Sequence, residues 1–185
     1  VNLLFVVSCL PIVTIGVAKI SLYQTIFEVK SSRRVPVFKT YMRAFKQNLK
    51  LGLQLGLLEL GIFLISVVDL SLFWGQTSLG FQPLKAICLG ILIFLLLVML
   101  ASYPIAERYE LTWKEVLQKG LLLVSFNFVW FFLMLAIILL IIMLLYLSGF
   151  TLVLGGSEFL LFGFGLLAFC QAGFMEKLFA KYQAD

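Results

Sequence analysis

Long apolar segments separated by short polar stretches dominate this chain. Five of them approach the roughly 20 residues that a helix needs to cross a hydrocarbon layer about 30 Å thick. They cover residues 1–18, 51–73, 84–106, 120–147 and 158–175. Hydrophobic residues make up 63% of the sequence and charged residues 12%, which excludes a soluble globular domain. The pattern predicts an all-α bundle of five transmembrane helices that forms a single domain over residues 1–185.

The first segment, residues 1–18, differs from the other four in lying at the start of the given sequence. It begins at Val1 instead of a methionine, and we interpret it as a membrane helix that is clipped at its N-terminus. A cleavable signal peptide is the alternative interpretation. Pro11 and Gly16 interrupt the segment, so we expect a helix that is retained.

Basic residues are concentrated between the first and second segments. Residues 19–50 hold eight of the fourteen Lys and Arg residues and a single acidic residue, Glu28. Residues 107–119 hold three more and the C-terminal tail two, whereas only Lys85 lies on the opposite side of the predicted bundle. Because Lys and Arg are retained on the cytoplasmic side, the pattern predicts an external N-terminus and a cytoplasmic C-terminus.

The two basic connections, 19–50 and 107–119, carry amphipathic patterns and lead into a span in the same way, which suggests a weak internal repeat. After Pro36, basic and apolar residues follow two different faces of a helix. Thr112 and Glu115 have the spacing of a capping box. We expect interfacial helices that lie against anionic lipid head groups or bind a second membrane subunit. The candidate contact residues are Arg43, Lys46, Arg108 and Trp113.

Glu59 lies inside a predicted membrane helix, where an ionisable side chain is costly and normally faces protein or water. Gly52 and Gly56 share its helix face at a spacing that lets another helix approach closely. Glu59 lies nine residues after Lys50, and Asn127 lies eight residues after Lys119, so the two side chains should lie at nearly the same depth. We expect a hydrogen bond between Glu59 and Asn127 that joins two helices; a proton or substrate pathway is the alternative.

No group of residues with a catalytic pattern stands out. Histidine is absent, and the sequence has neither a GxSxG element nor a phosphate-binding loop. Cys9, Cys88 and Cys170 lie in apolar segments without paired spacing. We therefore expect no enzymatic activity, no metal and no cofactor. Nucleic acid is a poor partner for the basic residues, since they adjoin membrane spans and no nucleic-acid-binding fold surrounds them.

Four stretches of the sequence are distinctive. They are LPIVTIG at 10–16, FKTYMRAFKQNLKLGLQ at 38–54, YPIAERYELTWKEVLQKGLLLVSFNFVW at 103–130 and FMEKLFAKY at 174–182. Together they resemble the YesL-like family of small bacterial membrane proteins. One departure is Gly16-Val17-Ala18, where the family would have Gly-Ala-Ser or Gly-Ala-Thr. The resemblance brings no established functional residues with it.

YesL-like proteins are typically encoded beside carbohydrate ABC importers and sensor-kinase pairs. The resemblance therefore implies a non-enzymatic accessory or regulatory subunit in the bacterial plasma membrane, which binds the permeases of such an importer and lies near its ATPase. One alternative is a membrane partner of a sugar-responsive two-component histidine kinase. The other is a small stand-alone transporter that uses Glu59.

Overall fold

The computed structural model of this protein describes residues 1–32, 34–74 and 81–183, and every regular element among them is helical. The helices are α1 (Asn2–Cys9), α2 (Ile15–Ser31), α3 (Val37–Gln47), α4 (Leu49–Trp74), α5 (Gln82–Arg108), α6 (Trp113–Phe126), α7 (Phe128–Leu145), α8 (Gly149–Glu158) and α9 (Phe164–Gln183). A 3₁₀ turn (Ile12–Thr14) precedes α2, and a π-helical turn (Phe159–Gly163) joins α8 to α9.

Five helical stretches in the described part of the chain are long and apolar enough to cross a membrane. They are Ile12–Ser31, Leu49–Leu72, Gln82–Arg108, Phe128–Leu145 and Leu152–Lys181. The prediction of an all-α protein with five membrane-spanning helices is confirmed. The second and third stretches agree with the predicted segments to within about two residues at each end, the other three differ by more, and two of these larger differences have a clear local cause.

The first spanning helix lies further along the chain than the apolar pattern predicted. Pro11 has an extended backbone, with φ −77° and ψ 113°, and separates α1 from the following turn. A proline interrupts helices because it has no N–H to donate and its ring collides with the preceding turn. The span is therefore Ile12–Ser31, and the prediction of 1–18 is wrong. Residues 19–31, which the charge pattern assigns to a cytoplasmic connection, belong to this membrane helix.

The fourth predicted segment, 120–147, is divided at Asn127. This residue leaves the helical backbone, with φ −126° and ψ 33°, and its side-chain amide donates to the Leu123 carbonyl at 3.1 Å. The same carbonyl also accepts from the Asn127 backbone N–H at 3.1 Å, so the side chain adds a second hydrogen bond at the end of α6. At the end of α3, Asn48 donates in the same way to the Ala44 carbonyl at 3.0 Å. The stretches α2–α4 and α5–α7 thus share one layout: a span, an amphipathic helix, an asparagine and a second span.

Helix α2 forms the centre of the bundle, and α3, α4, α5 and α9 all pack against it. Its buried residues lie on every side of the helix: Gly16, Val17, Ala18, Ile20, Ser21, Leu22, Tyr23, Thr25 and Ile26. The hydroxyls of Ser21 and Thr25 each donate to the carbonyl one turn earlier at 2.7 Å. These bonds let a helix with several polar residues occupy the middle of a membrane protein.

Contacts between helix ends show that α2, α5 and α9 run in the same direction. Lys30 near the end of α2 pairs with Glu176 of α9 at 2.6 Å, and Arg108 at the end of α5 lies 4.9 Å from the Phe179 ring centroid. We call this side of the molecule, with α3 and the start of α6, the basic end. The basic end holds most of the Lys and Arg residues, and its cytoplasmic location stays a prediction from the positive-inside rule.

Asn2 ties the short helix α1 to the π-helical turn. Its buried amide nitrogen donates to the carbonyls of Phe159 and Leu160 at 3.4 and 3.1 Å, and its oxygen accepts from the Gly165 N–H. A π turn disturbs the regular pairing of backbone groups in a helix. The Asn2 amide bonds to the first two residues of the turn and to a residue just beyond its end, so it holds α1 against the spanning helix Leu152–Lys181.

Candidate functional site

Glycines bring α2 and α4 unusually close together. A methyl group added at Gly16 would collide with the Gly52 carbonyl oxygen and lie 2.7 Å from the Gly56 backbone. A methyl group at Gly52 would lie 2.6 Å from the Val17 Cα. Only glycine fits at such a contact, which resembles the small-residue interfaces of membrane helices. The structure thus places the predicted packing residues Gly52 and Gly56 at a helix contact, where they meet a third glycine on α2.

Beside this glycine contact, Glu59 of α4 forms an ion pair with Lys19 of α2. The Lys19 Nζ lies 2.6 Å from Oε1 and 2.8 Å from Oε2 of Glu59. Tyr103 of α5 donates its hydroxyl to the same carboxylate, and the Lys19 ammonium lies 4.7 Å from the Tyr103 ring centroid. Charge-assisted hydrogen bonds and a cation over an aromatic face both strengthen such a cluster. One carboxylate therefore joins three spanning helices.

The ion pair lies deep along the helices. Lys19 is roughly 18 Å along α2 from Ser31, and Glu59 is roughly 15 Å along α4 from Leu49, at about 1.5 Å per residue. Both distances correspond to the middle of a hydrocarbon layer about 30 Å thick. Charged residues at this depth are stable when they are paired and hydrogen-bonded, as Lys19 and Glu59 are.

The predicted hydrogen bond between Glu59 and Asn127 is wrong. Glu59 accepts from Lys19 and Tyr103, while the Asn127 amide donates within its own helix. The error follows from the position of the first span. Once α2 is the spanning helix, a cation lies inside the membrane, and an ammonium is a stronger partner for a carboxylate than an amide is. The apolar residues on both sides of Lys19 are the one signal in the sequence for this position.

A second polar contact joins α2, α5 and α9. The Tyr23 hydroxyl donates to the Gln171 side-chain oxygen, and the Gln171 amide donates to the Leu100 carbonyl at 2.8 Å. Tyr23 and Gln171 are both buried. Sequence reasoning missed Tyr23 and Tyr103 as polar contacts because a tyrosine in an apolar segment looks like one more hydrophobic residue. Its hydroxyl nevertheless needs a partner when the ring is buried.

The ion pair lines an open cleft between α2, α4 and α5, which we call the α2–α4–α5 cleft. Its volume is about 470 Å³, and apart from Lys19 and Glu59 its walls are apolar, with Ile15, Phe63 and Leu95 among the lining residues. The side chains of Lys19 and Glu59 remain 28% and 23% exposed. The paired charges can therefore be reached from the cleft.

The four predicted contact residues lie at the basic end, each beside a different neighbour. Arg43 is about half exposed and lies 3.2 Å from Glu28, whereas Lys46 is exposed on the same helix. Arg108 is exposed over Phe179, and the Trp113 ring lies 5.5 Å from the Lys114 ammonium. The structure therefore spreads these residues over α3, the end of α5 and the start of α6.

Helix α3 packs on α2 through one face and leaves two others open. Thr40, Tyr41 and Ala44 are buried, while Phe38 is 66% and Met42 is 37% exposed. Three basic residues of α3 are exposed: Lys39, Arg43 and Lys46. Lys50, three positions after the end of α3, is exposed as well. The predicted amphipathic helix is therefore also part of the packed bundle.

The capping box at the start of α6 is present, as predicted. The Thr112 N–H donates to the Glu115 carboxylate at 2.8 Å, and the Thr112 hydroxyl donates to it at 2.9 Å. These hydrogen bonds, the backbone bond first, lower the pKa of the Glu115 carboxyl below its usual value. The charged form of Glu115 thus fixes the start of α6 at the basic end.

The described residues offer no cluster of three or more His, Cys, Asp or Glu side chains that could hold a metal ion. Cys9, Cys88 and Cys170 are free thiols. The chemistry that the described site does offer is hydrogen bonding to an ion pair in an apolar cleft.

Five spanning helices around a polar centre define a polytopic helical membrane protein. Residues 1–70 match the model of a family described as "Protein of unknown function, DUF624". YesL-like proteins belong to this family, so the resemblance predicted from the sequence is confirmed. The matched part includes Lys19 and Glu59, whereas Tyr103 lies beyond it. No curated protein and no solved structure matches the chain.

Proposed function

We propose that this protein is a non-enzymatic accessory subunit of a bacterial carbohydrate ABC importer and binds the permease subunits. The importer is suggested by the YesL-like resemblance. The observation that supports a binding role is the exposed cationic surface of the basic end, formed by Lys39, Arg43, Lys46 and Lys50. In this proposal the protein lies in the bacterial plasma membrane with its basic end in the cytoplasm.

Packing against α2 holds this cationic surface in place. Glu28 of α2 accepts from Thr40 at 3.3 Å and lies 3.2 Å from Arg43. Near the other end of α3, Asn48 donates to Gln24 of α2 at 2.9 Å. A surface that is already ordered loses less conformational entropy when a partner binds. The contacts therefore favour a role for α3 as a docking helix.

The exposed residues of α3 also fit the two kinds of partner found at a cytoplasmic membrane surface. Phe38 and Met42 are exposed beside the basic residues, and interfaces between proteins are enriched in arginine, methionine and aromatic residues. Anionic lipid head groups would add roughly 1 kcal/mol for each cation near the surface. We propose that permeases, and their ATPase, meet this surface while anionic lipid surrounds it.

Purification of the tagged protein from its native membrane in a gentle detergent tests the proposal. We expect permeases in stoichiometric amounts, and we expect Arg43→Glu/Lys46→Glu to lose them and to reduce sugar uptake while the protein stays in the membrane. Lys46→Glu alone leaves the Arg43–Glu28 contact intact and should show the same loss in part. Lys85→Glu, at the opposite end, is the matched control. Unchanged uptake and unchanged co-purification in the double variant would contradict the proposal.

A stand-alone transporter is the second candidate function, favoured by one observation: the α2–α4–α5 cleft exposes a charged pair in mid-membrane. In vesicles that contain only this protein, a transporter would carry substrate, and Glu59→Gln would abolish the flux. An accessory subunit would carry none. Recovery of a histidine kinase in the purification would instead support the signalling alternative.

A further inference from the structure

We infer that the α2–α4–α5 cleft receives a transmembrane helix of the partner permease, which places a neutral hydrogen-bonding side chain against the Lys19–Glu59 pair. This inference rests on the proposed function, since it names where the partner binds in the membrane and what chemistry it brings. The cationic surface of α3 would then be a second contact with the same partner.

The first argument comes from the unused hydrogen-bonding capacity of the ion pair. A lysine ammonium has three N–H donors, and among the described residues Lys19 gives hydrogen bonds to Glu59 only. The side chains of Lys19 and Glu59 remain 28% and 23% exposed toward the cleft. Hydrocarbon chains offer no acceptor or donor, so lipid in the cleft would leave this capacity unsatisfied. A protein side chain in the cleft would satisfy it.

The second argument comes from the shape and lining of the cleft. Three spanning helices form its walls, which are apolar except at the ion pair, and its volume is about 470 Å³. Side chains of a fourth helix can fill such a groove. Because lipid chains are as apolar as the walls, the walls alone do not favour a helix over lipid. The polar pair makes the difference, and it selects a helix with a polar residue at the matching depth.

The third argument concerns depth and charge. Lys19 and Glu59 lie roughly 15 to 18 Å from the basic end, so phosphates of lipid head groups do not reach them. Their charges are opposite and 2.6 Å apart, so a third charge would lack a counter-ion. A neutral serine, threonine, asparagine or glutamine both fits the pair and is tolerated within a membrane helix. The complementary partner is therefore a mostly apolar span with one such residue near its middle.

Photo-crosslinking in native membranes tests this inference. Phe63 lines the cleft and is 56% exposed, so p-benzoylphenylalanine in its place keeps an aromatic ring there. We expect an adduct with a permease span. The same photoreactive residue in place of Leu139, which is 55% exposed on α7, is the matched control and should capture lipid. Adducts at position 63 with lipid alone, or with a second copy of this chain, would overturn the inference.

Removal of the ion pair as a unit supplies the second readout. Lys19→Met/Glu59→Met leaves no unpaired charge, so the bundle should still fold, and we expect the permease adduct at position 63 to fall about tenfold. The swapped pair Lys19→Glu/Glu59→Lys keeps a neutral, hydrogen-bonding unit and should restore the adduct. An adduct of undiminished yield in the double Met variant would contradict the role of the pair.

The failure of this inference and the failure of the proposed function are distinguishable. If the wild-type protein purifies with permeases but position 63 captures none of them, the accessory role stands and the cleft is not its docking site. If no permease purifies with the wild-type protein, both are rejected. A partner span without a polar residue opposite Lys19 in the captured peptide would also overturn the chemistry proposed here.

Discussion

Helices α2 and α7 cross the bundle in opposite environments. The span that contains α2 is the least hydrophobic of the five found in the described residues, yet 50% of it is buried. The span formed by α7 is the most hydrophobic, and only 11% of it is buried. In a water-soluble protein, the more hydrophobic helix would be the more buried one. In a membrane the lipid is as apolar as the protein interior, so the hydrophobicity of α7 does not draw it inside, whereas the polar side chains of α2 favour a place among other helices.

The side chains of the two helices explain this difference. Lys19, Ser21, Tyr23 and Thr25 of α2 all form hydrogen bonds, either with other helices or with the preceding turn. Helix α7, between Phe128 and Leu145, has no charged, hydroxyl or amide side chain. Its only fully buried residue among those described is Phe131. Helix α2 therefore holds the bundle together, while α7 mainly faces lipid. Changes in the two helices should differ accordingly.

The largest effect is expected for Gly16→Leu in α2. The new side chain would meet the backbone of Gly52 and Gly56, which cannot move without separating the helices. We expect a loss of more than about 3 kcal/mol of unfolding free energy, measured by unfolding in mixed micelles. Gly61→Leu is the matched control on α4, because nothing lies within 4 Å of its added Cβ. Equal stability of the two variants would remove the basis for a central α2.

Loss of one charge in the mid-membrane pair should have the next largest effect. Glu59→Leu leaves the Lys19 ammonium without its counter-ion, and we expect a loss of about 2–3 kcal/mol. Lys19→Met/Glu59→Met should cost less than the single change, since no unpaired charge remains. Unfolding measurements on the wild type, both single variants and the double variant give the coupling energy directly. A coupling energy near zero would show that the pair does not join α2 to α4.

A smaller effect is expected for Tyr23→Phe, which removes only the hydroxyl that donates to Gln171. Hydrogen bonds between membrane helices contribute about 0.6–2 kcal/mol, so we expect a loss of roughly 1 kcal/mol. Tyr146 follows α7 and is 76% exposed. Tyr146→Phe is therefore the control, and we expect it to cause no measurable change in stability. Thermal unfolding in detergent compares the two variants. If both lose the same stability, the buried tyrosine contact is unimportant.

The smallest effect is expected on α7 itself. Leu139→Ala, at a position that is 55% exposed, should change the unfolding free energy by less than about 0.5 kcal/mol. Leu97→Ala in α5 is the matched control, since Leu97 is fully buried and its removal should cost about 2 kcal/mol or more. A large loss for Leu139→Ala would place α7 in a protein contact and end the contrast with α2.

Local patterns in the sequence were sufficient for much of the architecture. Span length and apolar composition predicted five membrane helices, and the spacing of Thr112 and Glu115 predicted the capping box at α6. The bounds of the first span were wrong because Lys19 and the basic residues after it were assigned to a connection, and the interruption at Pro11 was used only to argue against a signal peptide. Each of these features depends on residues within a few helical turns. A wrong interpretation of one such residue therefore shifts the predicted bounds of a helix.

The partner of Glu59 depends on residues that are distant in the sequence. Lys19 is 40 positions before it and Tyr103 is 44 positions after it, and Gly16, Gly52 and Gly56 let α2 and α4 touch beside the ion pair. Composition and helical period determined that this chain is a bundle of membrane helices with a costly carboxylate inside. Tertiary packing decided which groups satisfy that carboxylate and that the pair opens into a cleft, because depth along a helix does not specify which helices are neighbours.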